Sequence, residues 1–288
     1  MRRQRRPGAL DALSVAVRAG SRLVAALAVV GVAAGAGCDA GKTVLIGHED
    51  PVARCLLTPT APPAGTPAFY KKYLDGYGIP VMASAAVSDT ALASACMIAV
   101  NLVRFRADVR EELMRERQRV AVLGLDEVTT DVPEYANLYS MFPGPDWDAL
   151  RGVGATIAIP VSSAGEENLL CLTNDPYAGE QVLVQTFATA VLLALERVDG
   201  STFRSRLEAA YADARSAGLW QNTFASTDYI EYYAVGVQTW FEAVPDVSAP
   251  NGTHNEINTR AELIEYDPVL ADLVAETMPD DDWRPMCP

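Results

Sequence analysis

Between positions 179 and 196 the chain reads GEQVLVQTFATAVLLALE, and from 182 to 195 only Gln185, Thr186 and Thr189 interrupt an apolar run. At about 100° per residue the three fall within one arc of roughly 100°, with Gln185 and Thr189 a single turn apart. This is the spacing at which two imidazoles on one helical face hold a metal ion while a carboxylate beside the first acts as general base, His-Glu-x-x-His. Here the three positions carry an amide and two hydroxyls. Such groups in a buried helix ordinarily satisfy themselves locally, a threonine often through the carbonyl one turn back. The stripe has the spacing of a metal site without its ligands.

A helix apolar on nearly every side must be buried on every side, so other elements have to surround it. The strands expected to do so are 79–87, 120–125, 156–161 and 168–172, with a sharp turn at Gly165. Ser88-Asp89 predicts the cap of a helix running to Leu113, and 201–217, 228–241 and 268–277 read as later helices. Strands early and helices late imply an α+β chain with one folded domain.

The first 37 residues have the parts of a secretory signal: a basic start (Arg2, Arg3, Arg5, Arg6), an apolar run from 23 to 35, and small residues before Cys38. Gly35-Ala36-Gly37-Cys38 resembles the lipobox of bacterial lipoproteins, with Gly35 where Leu is usual, which makes Cys38 the expected lipidation site. Simple secretion and an uncleaved anchor are the other outcomes this pattern allows, although the run is short for a membrane span. The organisation read from composition is 1–37 signal peptide, 38–69 a Pro- and Thr-rich tether, and 70–288 the folded domain. Beyond position 37 the chain carries 36 acidic and 17 basic side chains, a net charge near −19. That charge argues against nucleic acid as a partner and leaves membrane contact to the N-terminal lipid. With Cys38 lipidated, Cys55, Cys96, Cys171 and Cys287 are disulfide candidates in three possible pairings, consistent with an extracytoplasmic address in the cell envelope.

A second candidate lies at Asp228-Tyr-Ile-Glu231. The spacing is that of an N-terminal capping box, while a Glu 42 residues after Thr189 on a mostly apolar helix also resembles the third metal ligand of a gluzincin. Of the two histidines, His48 falls in the tether, while His254 could line a cleft or cap a turn. Glu166 and Glu167, adjacent carboxylates before an expected strand, read as a solvated edge or as part of a cleft.

Several longer stretches, YKKYLDGYGIPVMASAAVSD, DEVTTDVPEY, VSSAGEENLLCLTNDPYAGEQVLVQTFA, EYYAVGVQTWF and GTHNEINTRAELIEYDP, follow one another in the order of a secreted family. That family is related to the protease domain of anthrax lethal factor, a zincin-fold metallopeptidase, and the chain resembles it from about Tyr70 to Asp267. The resemblance implies a zincin-like metalloprotease fold: a small mixed sheet, a buried motif helix and a helical C-terminal half. Active members resemble HEFAH where this chain has Gln185 to Thr189, so the metal ligands fall on Gln185 and Thr189 and the base on Thr186. The third ligand falls on Glu231, a further Glu on Val235, and an oxyanion-stabilising Tyr on Phe224. Of these only Glu231 keeps its type, and zinc, the metal of active relatives, wants three N, S or carboxylate ligands. The reading is therefore an inactive metallopeptidase-like envelope lipoprotein that binds no cofactor and keeps its cleft as a binding or scaffolding surface for an unidentified protein or peptide. The alternatives are a metal-dependent peptidase rebuilt around Glu231 with calcium or manganese, or a purely structural accessory lipoprotein.

Overall fold

A computed structural model describes residues 50–285 of the chain; the leader, Cys38, His48 and Cys287 lie outside the described residues. Among them no helix is long and apolar enough to cross a membrane.

Strands β1 (Lys72–Gly76) and β2 (Ile79–Ala83) form a hairpin, with Gly76 opposite Ile79 and Tyr77-Gly78 as the loop. Both loop residues have positive φ, 62° and 92°. This is the two-residue turn whose twist matches that of the strands it joins, and the glycine adopts its half without steric cost. Strands β3 (Arg119–Leu123) and β4 (Val161–Gly165) add in parallel, giving a mixed sheet in the order β1-β2-β3-β4. Alternate strand residues point to opposite faces, and both faces are covered. Val81, Ala83, Val120, Val122 and Ala164 enter the helical core, while Met82, Ala121, Leu123 and Val161 pack with Tyr135, Leu138 and Trp147. Double-sided burial is why β2 and β3 read as unbroken apolar runs.

The helices, in chain order, are α1 (Pro51–Cys55), α2 (Asp89–Val103), α3 (Ala107–Arg115), α4 (Leu138–Met141), α5 (Glu166–Leu169), α6 (Val182–Val198), α7 (Ser201–Ser216), α8 (Tyr229–Trp240), α9 (Arg260–Tyr266) and α10 (Pro268–Ala275). The chain is α+β, with strands early and helices dominating after β4. Ser88 caps α2 through its hydroxyl on the Ala91 amide, 3.2 Å. The helix expected to continue to Leu113 breaks at 104–106. Arg106 forks onto Asp108 in the first turn of α3, a position where a carboxylate favours a new helix start.

Two expectations around β4 shift. The strand begins at Val161 rather than at 156, directly after Pro160, which has no amide hydrogen to give to the ladder. The apolar run 168–172 forms no strand; the short helix α5 begins at Glu166, and Asn168 is drawn towards the next helix by hydrogen bonds to the Glu180 carbonyl and the Val182 amide, 2.6 and 2.9 Å. Short apolar runs look alike in either state.

From Asp50 onward the segment expected as a tether is docked. Cys55 is bonded to Cys96 in the middle of α2, both fully buried, and Thr60 exchanges backbone hydrogen bonds with Tyr73 along the outer edge of β1. Cys171 is disulfide-bonded as well. On the far side, Asp267 accepts from Tyr232 Oη at 2.6 Å, Trp220 Nε1 at 2.9 Å and the Leu270 amide at 3.1 Å, joining α8, the turn after α7 and the start of α10. Burial, together with the adjoining carboxylate, raises the Tyr232 hydroxyl far above its usual pKa, so it remains a donor.

Two stability changes follow. Replacing Cys55 and Cys96 together by serine frees a 41-residue separation and should cost about 2–4 kcal/mol by urea unfolding of the otherwise oxidised protein. Asp267→Ala strands a buried phenol and a buried indole N–H, and a loss of about 3 kcal/mol or more is expected; a change below about 1 kcal/mol would show that the network is dispensable.

Candidate functional site

Helix α6 is buried from Val182 to Leu192, and α8 from Ile230 to Trp240. The two run in opposite senses along their contact: the Gln181 amide at the start of α6 donates to the Ala243 carbonyl just past α8, and Tyr229 at the start of α8 donates to Glu196 near the end of α6, 3.2 Å. Burial holds the Glu196 carboxyl above its ordinary pKa. A polar seam runs through this mostly apolar interface, marked by two contacts, Gln185 with Glu231 and, at its end, Gln238 with Glu180.

At the centre of the seam Gln185 Nε2 donates to Glu231 Oε2 across the helices at 3.2 Å, with both residues under 4% exposed. Glu231 is therefore turned towards the first stripe. Its backbone is held independently, because Asp228 Oδ1 accepts from the Ile230 and Glu231 amides and caps α8. The Thr186 hydroxyl donates to the Ser163 carbonyl on β4 at 3.0 Å, and the Thr186 carbonyl accepts from Ser162 Oγ at 2.8 Å. Thr189 donates back to the Thr186 carbonyl, 2.6 Å. Val235, one turn beyond Glu231, and Phe224 ahead of α8 are buried. The structure thus brings Gln185 to Glu231 across α6 and α8 and Thr186 to β4, while the Thr189 hydroxyl is bonded within its own helix.

The outer edge of β4 is taken by the chain itself. The Ser163 amide donates to the Val153 carbonyl, and the Val153 amide to Ser163 Oγ, 2.9 and 3.1 Å. The residue before, Gly152, lies so close to α6 that an added Cβ would fall inside Val182 Cγ1 and press on the Ser163 carbonyl and Thr186 Cγ2. Only glycine permits that approach.

The remaining candidates lie around this centre. Glu166 and Glu167 are not a solvated edge: both are buried in α5. Glu166 accepts from the Ser88 amide at 2.9 Å, and Glu167 is gripped by Nε and Nη2 of Arg151, whose Nη2 also donates to the Gly124 carbonyl and whose Nη1 donates to the Glu127 carbonyl. The pair therefore ties the C-terminal ends of β3 and β4 to α2 and to the 124–127 turn. His254 is buried, with Nε2 3.1 Å from Glu180 Oε2, while Gln238 donates to Glu180 Oε1, also at 3.1 Å. Glu180 and Gln238 are members of the seam that sequence reasoning did not pick out. The spacing of Gln238, two turns after Glu231 on the same face, was the available signal.

The donor set can be tested against zinc directly. Gln185 turns its N–H group towards Glu231, so the amide presents hydrogen rather than a lone pair to the carboxylate, and the two hydroxyls are committed to backbone carbonyls. That leaves a single carboxylate, and the site does not fit zinc. Among the described residues no group of three or more His, Cys, Asp or Glu side chains is placed to hold a metal ion.

No protein-family model matches the chain, and no curated protein is similar to it. Among solved structures it resembles the Pro-Pro endopeptidase PPEP-2 from Paenibacillus alvei. The likeness covers 64% of this chain and 90% of that one, with 16% sequence identity and a TM-score of 0.41. At that level it assigns neither an activity nor a site to this chain.

The Gln185–Glu231 contact predicts a distinct effect for each of two substitutions. Gln185→Ala should cost about 1–3 kcal/mol, the penalty of leaving a buried polar group without its partner. Gln185→Glu sets two carboxylates together in a dry interface, where one must stay protonated. Its folded state then binds a proton the unfolded chain releases, so its stability should fall, relative to the native protein, as pH rises from about 5 to 8. Parallel pH profiles in urea unfolding would show that residues 185 and 231 do not meet.

Proposed function

We propose that this chain is an extracytoplasmic metallopeptidase-like protein without hydrolytic activity, lipid-anchored at Cys38, whose domain serves as a binding or scaffolding module for a protein or peptide. The observation that supports it best is the hydrogen bond from the Gln185 amide to Glu231. A carboxylate in the place of a metal ligand is engaged by an amide in the place of another. The neighbouring hydroxyls at Thr186 and Thr189 are turned to backbone carbonyls, and Phe224 provides no hydroxyl to steady an oxyanion.

The chemistry points the same way. Hydrolysis by this class of site needs a bound metal to lower the pKa of water and a general base to take its proton. Threonine at 186 cannot act as that base near neutral pH, and the set around Glu231 has too few donors for zinc. The edge of β4, where an extended peptide would lie beside the motif helix, is already paired with Val153. The Cys55–Cys96 disulfide is compatible with an oxidising compartment.

Metal analysis of the purified protein is the deciding measurement. The expected result is no stoichiometric zinc, calcium or manganese and no chelator-sensitive cleavage of casein. One firmly held ion per chain, lost with Glu231→Ala, would overturn the reading in favour of a rebuilt hydrolase.

A further inference from the structure

Residues 245–258 cross from the end of α8 to the start of α9 without regular structure and lie over the end of the seam. Their backbone is docked on the 222–224 turn: the Gly252 amide donates to the Asn222 carbonyl and the Phe224 amide to the Thr253 carbonyl, both 2.8 Å, and Asn222 Nδ2 donates to the Pro250 carbonyl at 2.9 Å. Asn251 Oδ1 accepts from the Thr253 and His254 amides and sets the turn that carries the histidine inward. What this segment lacks is apolar anchorage. Its only fully buried residues are His254 and Asn255, its tip from 248 to 252 is exposed, and Ile257 is half-buried at its far end. Segments held by backbone bonds near the surface and few buried apolar contacts open at lower free energy than the core they cover.

The inward contact is with charge. His254 Nε2 meets Glu180 Oε2 at 3.1 Å, each residue about nine-tenths buried, and the other oxygen of Glu180 receives Gln238 Nε2. Gln238 itself is fully buried, and its Oε1 has no hydrogen-bond partner. Closure therefore leaves one acceptor dry beneath the strap, which entering water would satisfy.

We propose that 245–258 is a movable strap over the end of the α6–α8 seam and that the His254–Glu180 pair is its latch. Opening the strap gives solvent or a partner access to Glu180 and Gln238 while α6, α8 and the Gln185–Glu231 contact stay in place. The strap regulates access to the same seam that the proposed function treats as a non-hydrolytic surface, and its test does not depend on metal.

Amide hydrogen exchange of the full folded chain reads the latch through the Gly252 and Phe224 amides, with the Leu192 amide in the middle of α6 as the control. His254→Ala should speed exchange at Gly252 and Phe224 by about tenfold or more, as for a sub-global opening, and leave Leu192 unchanged. His254→Gln, which keeps a donor for Glu180, should fall between that variant and the native protein. Glu180→Gln, which removes the charge from the other side, should loosen the same two amides. The proposal is overturned if neither His254→Ala nor Glu180→Gln alters exchange at Gly252 and Phe224. It is equally overturned if Leu192 accelerates along with them, because the pair would then hold the whole fold. Stoichiometric zinc in the protein would defeat the proposed function and leave the exchange result standing.

Discussion

Two helices buried on every side cannot bring polar groups to their contact unless each finds a partner there, and the hydrogen bond between Gln185 and Glu231 meets that condition at the centre of this protein. An isolated carboxylate at that depth would be expelled or protonated. The Gln185 amide gives the Glu231 side chain such a partner and bonds α6 to α8 at that point. Thr186 adds a tie to β4 through the Ser163 carbonyl, so the sheet, α6 and α8 are joined by one connected group of residues.

The same residues show how a helical stripe with the spacing of His-Glu-x-x-His can be filled by groups that bond within the protein. In a metal site positions 185 and 189 would aim lone pairs at the ion and position 186 would hold the base. Here an N–H group and two hydroxyl hydrogens are aimed at oxygens of the protein itself. The geometry that would bring ligands together serves equally well to bring a donor to an acceptor, so the helix packing need not change when the ligands do. The self-paired edge of β4 and the close approach of Gly152 belong to the same closed arrangement.

Charged groups away from the seam are used as ties between elements. Arg151 holds Glu167 with one edge of its guanidinium and the carbonyls of the 124–127 turn with the rest, a planar fork that lysine could not reproduce. Glu166 caps the approach to α2, and Asp267 gathers a phenol, an indole and a helix start. Each carboxylate is buried with at least one donor on it, and Glu167 and Asp267 with several, which is how a chain with so strong an excess of acid keeps some of that acid inside.

Local rules set much of this structure from the sequence: the I′ turn at Tyr77-Gly78, the Ser88 and Asp228 caps, the burial of α6 and the α+β order follow from residue types and short-range spacing. The polar stripe on α6 was legible for the same reason, since a 3.6-residue period places Gln185 and Thr189 on one face whatever surrounds them. Its partners were not legible. Glu231 fits a local capping box just as well as a long-range contact, and nothing within a few residues of Glu166 and Glu167 shows that Arg151 and the Ser88 amide come to meet them. The run 168–172 became a turn of helix and a loop because Asn168 bonds to residues that follow it by 12 and 14 positions. The pairing of His254 with Glu180 spans 74 positions. Such contacts depend on how the elements pack, and packing is decided by the sum of many buried surfaces, whereas caps, turns and helical faces are decided by the few residues that form them.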